Sequence, residues 1–108
     1  MERVEQYKLA FYVPESHLDQ VKQALFNAGA GRQGDYEQCC WQCLGQGQFK
    51  PLTGANPTIG HVETLTFVPE YKVEMVCSAA NVKHVVQALR ANHPYEEPAF
   101  EVVRLENY

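Results

Sequence analysis

Apolar and polar residues change places along this chain with two distinct periods, and the periods occur in the same order twice. Tyr7, Leu9, Phe11 and Val13 alternate with polar or small neighbours, the two-residue period of a half-buried strand. Leu18, Val21, Ala24, Leu25 and Ala28 then recur at helical spacing and predict an amphipathic helix. The same pair returns as Tyr71, Val73, Met75 and Cys77, followed by Val82, Val85, Val86 and Leu89. Tyr7–Val13 aligns with Tyr71–Cys77 at a shift of 64 residues, and Val21–Leu25 aligns with Val85–Leu89 at that same shift. A strand and a helix sharing one offset predict an internal repeat of about 7–30 and 71–94. Ser16 with Asp19, and Asn81, are placed to cap the free amides of the two first turns. Gly29-Ala30-Gly31 stops the first helix, and His93-Pro94 stops the second, because proline has no N–H to give.

A further strand candidate follows each helix, Tyr36 to Phe49 in the first half and Ala99 to Leu105 in the second. The order β-α-β-β-α-β predicts an α+β, ferredoxin-like fold: an antiparallel sheet of four strands with two helices on one face. Segment 50–70 is the large addition. With Gly54, Gly60, three prolines and the alternating run Val62 to Val68, it reads as an elaborated hairpin between the halves. Its first part is expected to be a loop, and its second a strand bent near Pro69.

At 108 residues and 45% hydrophobic content, residues 1–108 are expected to form a single domain. By size scaling it would bury roughly two-thirds of its unfolded surface. Thirteen acidic against nine basic residues give a net charge of −4. No Lys/Arg cluster supplies the footprint that nucleic acids or anionic membranes require, so neither is an expected partner. Met1 to Glu5 is charged and has no apolar signal core, and no apolar run approaches the ~20 residues of a membrane span. A cytoplasmic location follows as the expectation, with the cysteines reduced.

Four stretches could carry chemistry. Cys40 and Cys43 form a C-x-x-C pair, suggesting a redox couple or half a zinc site. In a strand, however, they would point to opposite faces, while Cys39 and Cys43 on one face would stand ~13 Å apart. A packed, reduced strand is the expectation there. Gly45-Gln46-Gly47 and Gly54 to Gly60 flank a loop without the spacing of a phosphate-binding P-loop, in which Lys50 and Asn56 could contact a ligand or partner. The four histidines match no metal-binding template; His17 and His84 are expected to face solvent, and His61 to lie on a strand. His93-Pro94-Tyr95-Glu96-Glu97-Pro98 gathers an imidazole, a phenol and two carboxylates between prolines. A helix C-terminus would favour the charged form of His93. Neighbouring carboxylates in extended chain point apart, so one of Glu96 and Glu97 would face any given site. Tyr95 and Phe100 are expected to pack against the sheet end.

Taken together, G-x-G-x-F-K-P (Gly45–Pro51), G-A-N-P-x-I-G (Gly54–Gly60) and H-P-Y-E-E-P-A-F (His93–Phe100) resemble the domain inserted in proteins of the Nif-three family. The resemblance spans roughly Tyr7 to Leu105 and implies a PII/CutA-like domain, here expected to occur alone. That family is often described as hydrolase-like, with two metals held by histidines and carboxylates of flanking halves that this sequence does not contain. The resemblance therefore implies a non-catalytic, regulatory-type module that forms a homo-oligomer, a trimer by its PII/CutA likeness, and binds a small molecule or protein partner. No cofactor and no metal are expected. Lys50, Asn56, His93, Tyr95, Glu96 and Glu97 are the candidate ligand-binding residues. The alternative is a metal-dependent hydrolase-like or soft-metal-binding protein whose site is completed at a subunit interface.

Overall fold

The computed structural model describes residues 5–108; the charged start of the chain, residues 1–4, lies outside the described residues. The elements run β1 (Gln6–Val13), α1 (Glu15–Asn27), β2 (Trp41–Phe49), β3 (Thr66–Ser78), α2 (Val82–Asn92) and β4 (Phe100–Arg104). The strands form one antiparallel sheet in the order β2-β3-β1-β4, which is the ferredoxin-like topology. Ala10 and Glu74, equivalent residues of the 64-residue repeat, pair with each other at the middle of the β1–β3 ladder. The two halves are thus related by an approximate two-fold through that pair.

The alternation decides which face is covered. Leu9, Phe11 and Val13 of β1 and Val73, Met75 and Cys77 of β3 are buried on one face, against Leu18, Val21 and Leu25 of α1 and Val85 and Leu89 of α2. Phe100 packs at the margin of this core with the Arg90 guanidinium 5.0 Å above its ring.

Helix ends follow backbone chemistry more than side-chain caps. Pro14 occupies the N-cap of α1 and its carbonyl accepts from the His17 N–H at 3.1 Å, while the Ser16 hydroxyl contacts the His17 ring instead of capping. Asn81 does sit at the N-cap of α2, but its side chain makes no capping bond. At the far end of α1 the Ala30 N–H donates to Leu25 O and the Gly29 N–H to Phe26 O, a Schellman closure that requires the left-handed φ of 108° found at Gly29. His93 ends α2 in extended geometry, the conformation imposed on a residue before proline.

Two strands depart from expectation. Residues 36–40 are not in β2: Gln33 and Tyr36 close a local bridge, Gln38 adopts φ 58°, and the Cys39 N–H returns to Gly31 O. These turns consume the backbone groups a strand would offer. The run expected over 62–68 also starts later and is continuous with the next strand, so β3 passes straight through Pro69. Proline is tolerated because β1 stops at the Val13–Tyr71 pair, leaving residues 66–70 paired only to β2. β2 and β3 therefore extend past β1 as a two-stranded ribbon, and residues 50–65 form its tip.

Candidate functional site

The tip folds back on the segment after α2. The Asn56 N–H donates to the Glu96 carboxylate at 3.2 Å, and the Thr58 hydroxyl donates to Pro94 O at 2.7 Å. The Phe49 and Tyr95 ring centroids stand 6.5 Å apart with the rings tilted by 48°. Between these contacts lies an open cavity of about 390 Å³, with apolar walls from Phe49, Pro51, Pro57, Ile59 and Tyr95. Its polar lining includes Tyr12, Lys50, Thr58, Glu70, Glu96 and Glu97. The volume lies within the range of small-molecule sites, which combine apolar walls with a few convergent polar groups.

Four of the six candidate residues line this space: Lys50, Tyr95, Glu96 and Glu97. Both carboxylates do so, because residues 94–97 bend instead of running extended. Asn56 contributes through its backbone, fixing Glu96. Lys50 is turned toward Glu63, whose carboxylate stands 3.9 Å from its ammonium and also accepts from the Thr53 N–H and hydroxyl at 3.3 Å each.

His93 lies beneath the cavity rather than in its lining, and is 7% exposed. Its Nε2 meets Tyr12 O at 2.6 Å and its Nδ1 meets the Tyr95 N–H at 3.1 Å. A carbonyl can only accept and an amide N–H can only donate, so Nε2 carries the proton and Nδ1 is the acceptor. Only the neutral imidazole satisfies both. Burial holds its pKa below the usual histidine value, outweighing the bond to Tyr12 O and the Glu70 charge that raise it. The charged form expected from the helix end is displaced by desolvation. His93 fastens β1 to the 93–97 bend, and Tyr95 rests edge-on against its ring at 4.9 Å.

The Tyr95 phenol is pushed far up, first by burial and then by Glu70. Its Oη is buried and makes no hydrogen bond of good geometry, while Glu70 stands close enough to raise the phenol pKa through both its charge and a poorly formed hydrogen-bond contact. An unpaired buried hydroxyl costs about 1–3 kcal/mol. Tyr95→Phe is therefore expected to raise stability by about 1 kcal/mol, read as a higher urea midpoint; a lower midpoint would mean that the hydroxyl is satisfied.

Glu70 and Tyr12 were not singled out by sequence. Tyr12 donates its hydroxyl proton to Glu101 at 2.9 Å, and that bond raises its own pKa. The readable signal for Glu70 was the glycines across the ladder: Gly45 pairs with Glu70, and a Cβ on Gly47 would collide with the Glu70 carboxylate. The bare β2 backbone makes room for a carboxylate.

The cysteines lie elsewhere. Cys39 and Cys40 precede β2, and Cys40 and Cys43 are exposed rather than packed, since Cys40 lies outside the strand and Cys43, opposite Lys72, lies on the helix-free face. Cys77 alone is in the core, where burial raises its thiol pKa. Among the described residues no group of three His, Cys, Asp or Glu side chains is placed to share a metal ion. His17 is half-buried, His84 exposed, and His61 lies in a turn rather than a strand.

This architecture is the α+β, ferredoxin-like fold that CutA and PII proteins also have. CutA from Synechococcus elongatus superposes with a TM-score of 0.67 at 20% identity, covering 97% of this chain and 80% of that one. Bacillus subtilis GlnK, in its complex with ATP, gives 0.64 at 12% identity over 97% of this chain and 85% of its own. The chain is also similar to one segment of the NIF3-related proteins. A Bacillus cereus protein related to NIF3 superposes with a TM-score of 0.85 at 34% identity, over 99% of this chain but 27% of that protein. In sequence it is 48% identical, over 92% of its length, to a Listeria innocua GTP cyclohydrolase 1 type 2 homolog, and 46% identical to the Bacillus subtilis homolog. It spans 27% and 26% of those relatives. No family model matches. No helix among the described residues is long and apolar enough to cross a membrane.

Proposed function

We propose that this chain is a non-catalytic, cytoplasmic binding module that self-associates and holds a small molecule between the 49–59 loop and Tyr95–Glu97. The observation that carries this reading is the closure of two motifs, some 40 positions apart, onto one cavity of the same chain. Apolar walls, two neighbouring aromatic rings and several carboxylates around one cavity are what a small-molecule site needs; a structural turn needs none of them. The GlnK–ATP complex supports the capacity of this fold to hold a small molecule. His93, with both ring nitrogens engaged, has no free base to offer a reaction.

Self-association is supported by the sheet face opposite the helices. Trp41 and Val103 are 56% and 55% exposed there, on either side of Ala10, Val76 and the Lys8–Glu74 ion pair. Large apolar side chains left exposed beside ion pairs, on a sheet face that no helix covers, are what a subunit interface would bury.

A thermal-shift screen with small molecules of every charge class tests the binding reading. A ligand at ten times its dissociation constant adds about 1.4 kcal/mol, which raises the melting temperature of a domain this size by roughly 5 °C. A library that leaves the transition unmoved contradicts the proposal.

A further inference from the structure

The charge around the cavity is one-sided. Three carboxylates, Glu70, Glu96 and Glu97, line it, and among the described residues none of the three is in an ion pair. The Asn56 amide on Glu96 is a neutral donor and leaves the charge uncompensated. The single ammonium in the lining, Lys50, is drawn to Glu63, which does not line the cavity. The loop is also poorly equipped for an anion. Pro51 and Pro57 have no N–H, the Asn56 N–H is committed to Glu96, and the Ala55 N–H is committed to Leu52 O. Two aromatic rings, Phe49 and Tyr95, complete the wall, and their faces carry the negative side of the ring quadrupole.

We propose that this cavity is selective for a small organic cation, an amine with an apolar body, its ammonium placed between the Glu70, Glu96 and Glu97 carboxylates and its hydrocarbon part against Phe49, Ile59 and Tyr95. The assignment rests on the binding reading above and adds the ligand's charge to it. Three unneutralised carboxylates beside a half-enclosed apolar wall repel phosphates and carboxylates. They favour an ammonium through charge-assisted hydrogen bonds, about twice as strong as neutral ones. Nucleotides are accordingly the wrong class for this cavity.

The test is calorimetric titration of the full chain at pH 7 with four probes: benzylamine, benzyl alcohol, benzoate and ATP. Benzylamine is expected to bind roughly ten-fold tighter than benzyl alcohol, the difference of a charge-assisted contact. Benzoate and ATP are expected to bind more weakly than either. A Glu96→Gln/Glu97→Gln variant should lose about ten-fold for benzylamine and nothing for benzyl alcohol, and added salt should weaken benzylamine alone. Benzoate or ATP binding as tightly as benzylamine would overturn the cation assignment while leaving the cavity a binding site. Benzyl alcohol matching benzylamine would do the same. If none of the four binds and the wider screen is also silent, the binding reading falls with it.

Discussion

His93→Ala is expected to cost about 2–4 kcal/mol of stability and to remove part of the protein's acid sensitivity. The substitution leaves Tyr12 O and the Tyr95 N–H without partners in a buried setting, and takes away the ring against which Tyr95 rests. In the wild type, burial lowers the imidazole pKa below the ordinary 6.5. Between those two values the unfolded chain binds a proton that the folded chain refuses, so stability is full above about pH 6.5. It falls as the pH drops toward the lowered value, by up to about 1.4 kcal/mol for each pH unit separating the two. Urea unfolding between pH 7.5 and 5 should show this slope in the wild type and a flatter one in His93→Gln, which folds more securely than the alanine variant. A His93→Ala cost below about 0.5 kcal/mol, or an unchanged slope in His93→Gln, would restore His93 as a candidate site residue.

Trp41→Glu with Val103→Glu is expected to reduce the protein to single chains of 12.3 kDa without unfolding it. Both side chains are more than half exposed on the helix-free face and neither belongs to the core cluster, so a lone chain loses little by the change. At an interface the same carboxylates would have to be buried unpaired, a penalty of several kcal/mol each. Light scattering should therefore find a multiple of the chain mass for the wild type, three chains if the PII/CutA resemblance extends to assembly. The variant should give the mass of one chain with an unchanged far-UV spectrum. A wild type that already runs as one chain contradicts the self-association proposal.

Most of the fold was legible because burial is one-sided. Leu9, Phe11 and Val13 face the helices while Lys8, Ala10 and Tyr12 do not, and that imprint repeats over Val73, Met75 and Cys77. Edges carried less information. β2 buries none of its side chains, and on its helix side Gln42 only accepts an exposed hydrogen bond from the Lys22 ammonium at 2.8 Å. Its sequence therefore holds no burial signal, and the turns at Gln33–Tyr36 and Gln38 displaced its start to Trp41. The site divides in the same way. Lys50, Tyr95, Glu96 and Glu97 lie in motifs that turns and prolines mark locally. Glu70 lies in a strand and joins the site only because β3 runs past β1 beside the bare Gly47. His93 was read from its own helix end, yet the partner that fixes its tautomer, Tyr12 O, is 81 residues away. That contact set the protonation state, and with it the role.

The most direct measurement is an amide chemical-shift map of the full chain, recorded with a fragment set spanning cations, neutral molecules and anions. The binding-module account predicts that bound fragments perturb the amides of Phe49, Lys50, Thr58, Tyr95 and Glu97 together, leaving Trp41 and Val103 unmoved. Fragments that perturb only the helix-free sheet face, or none that touches the 49–59 and 95–97 amides, would contradict it.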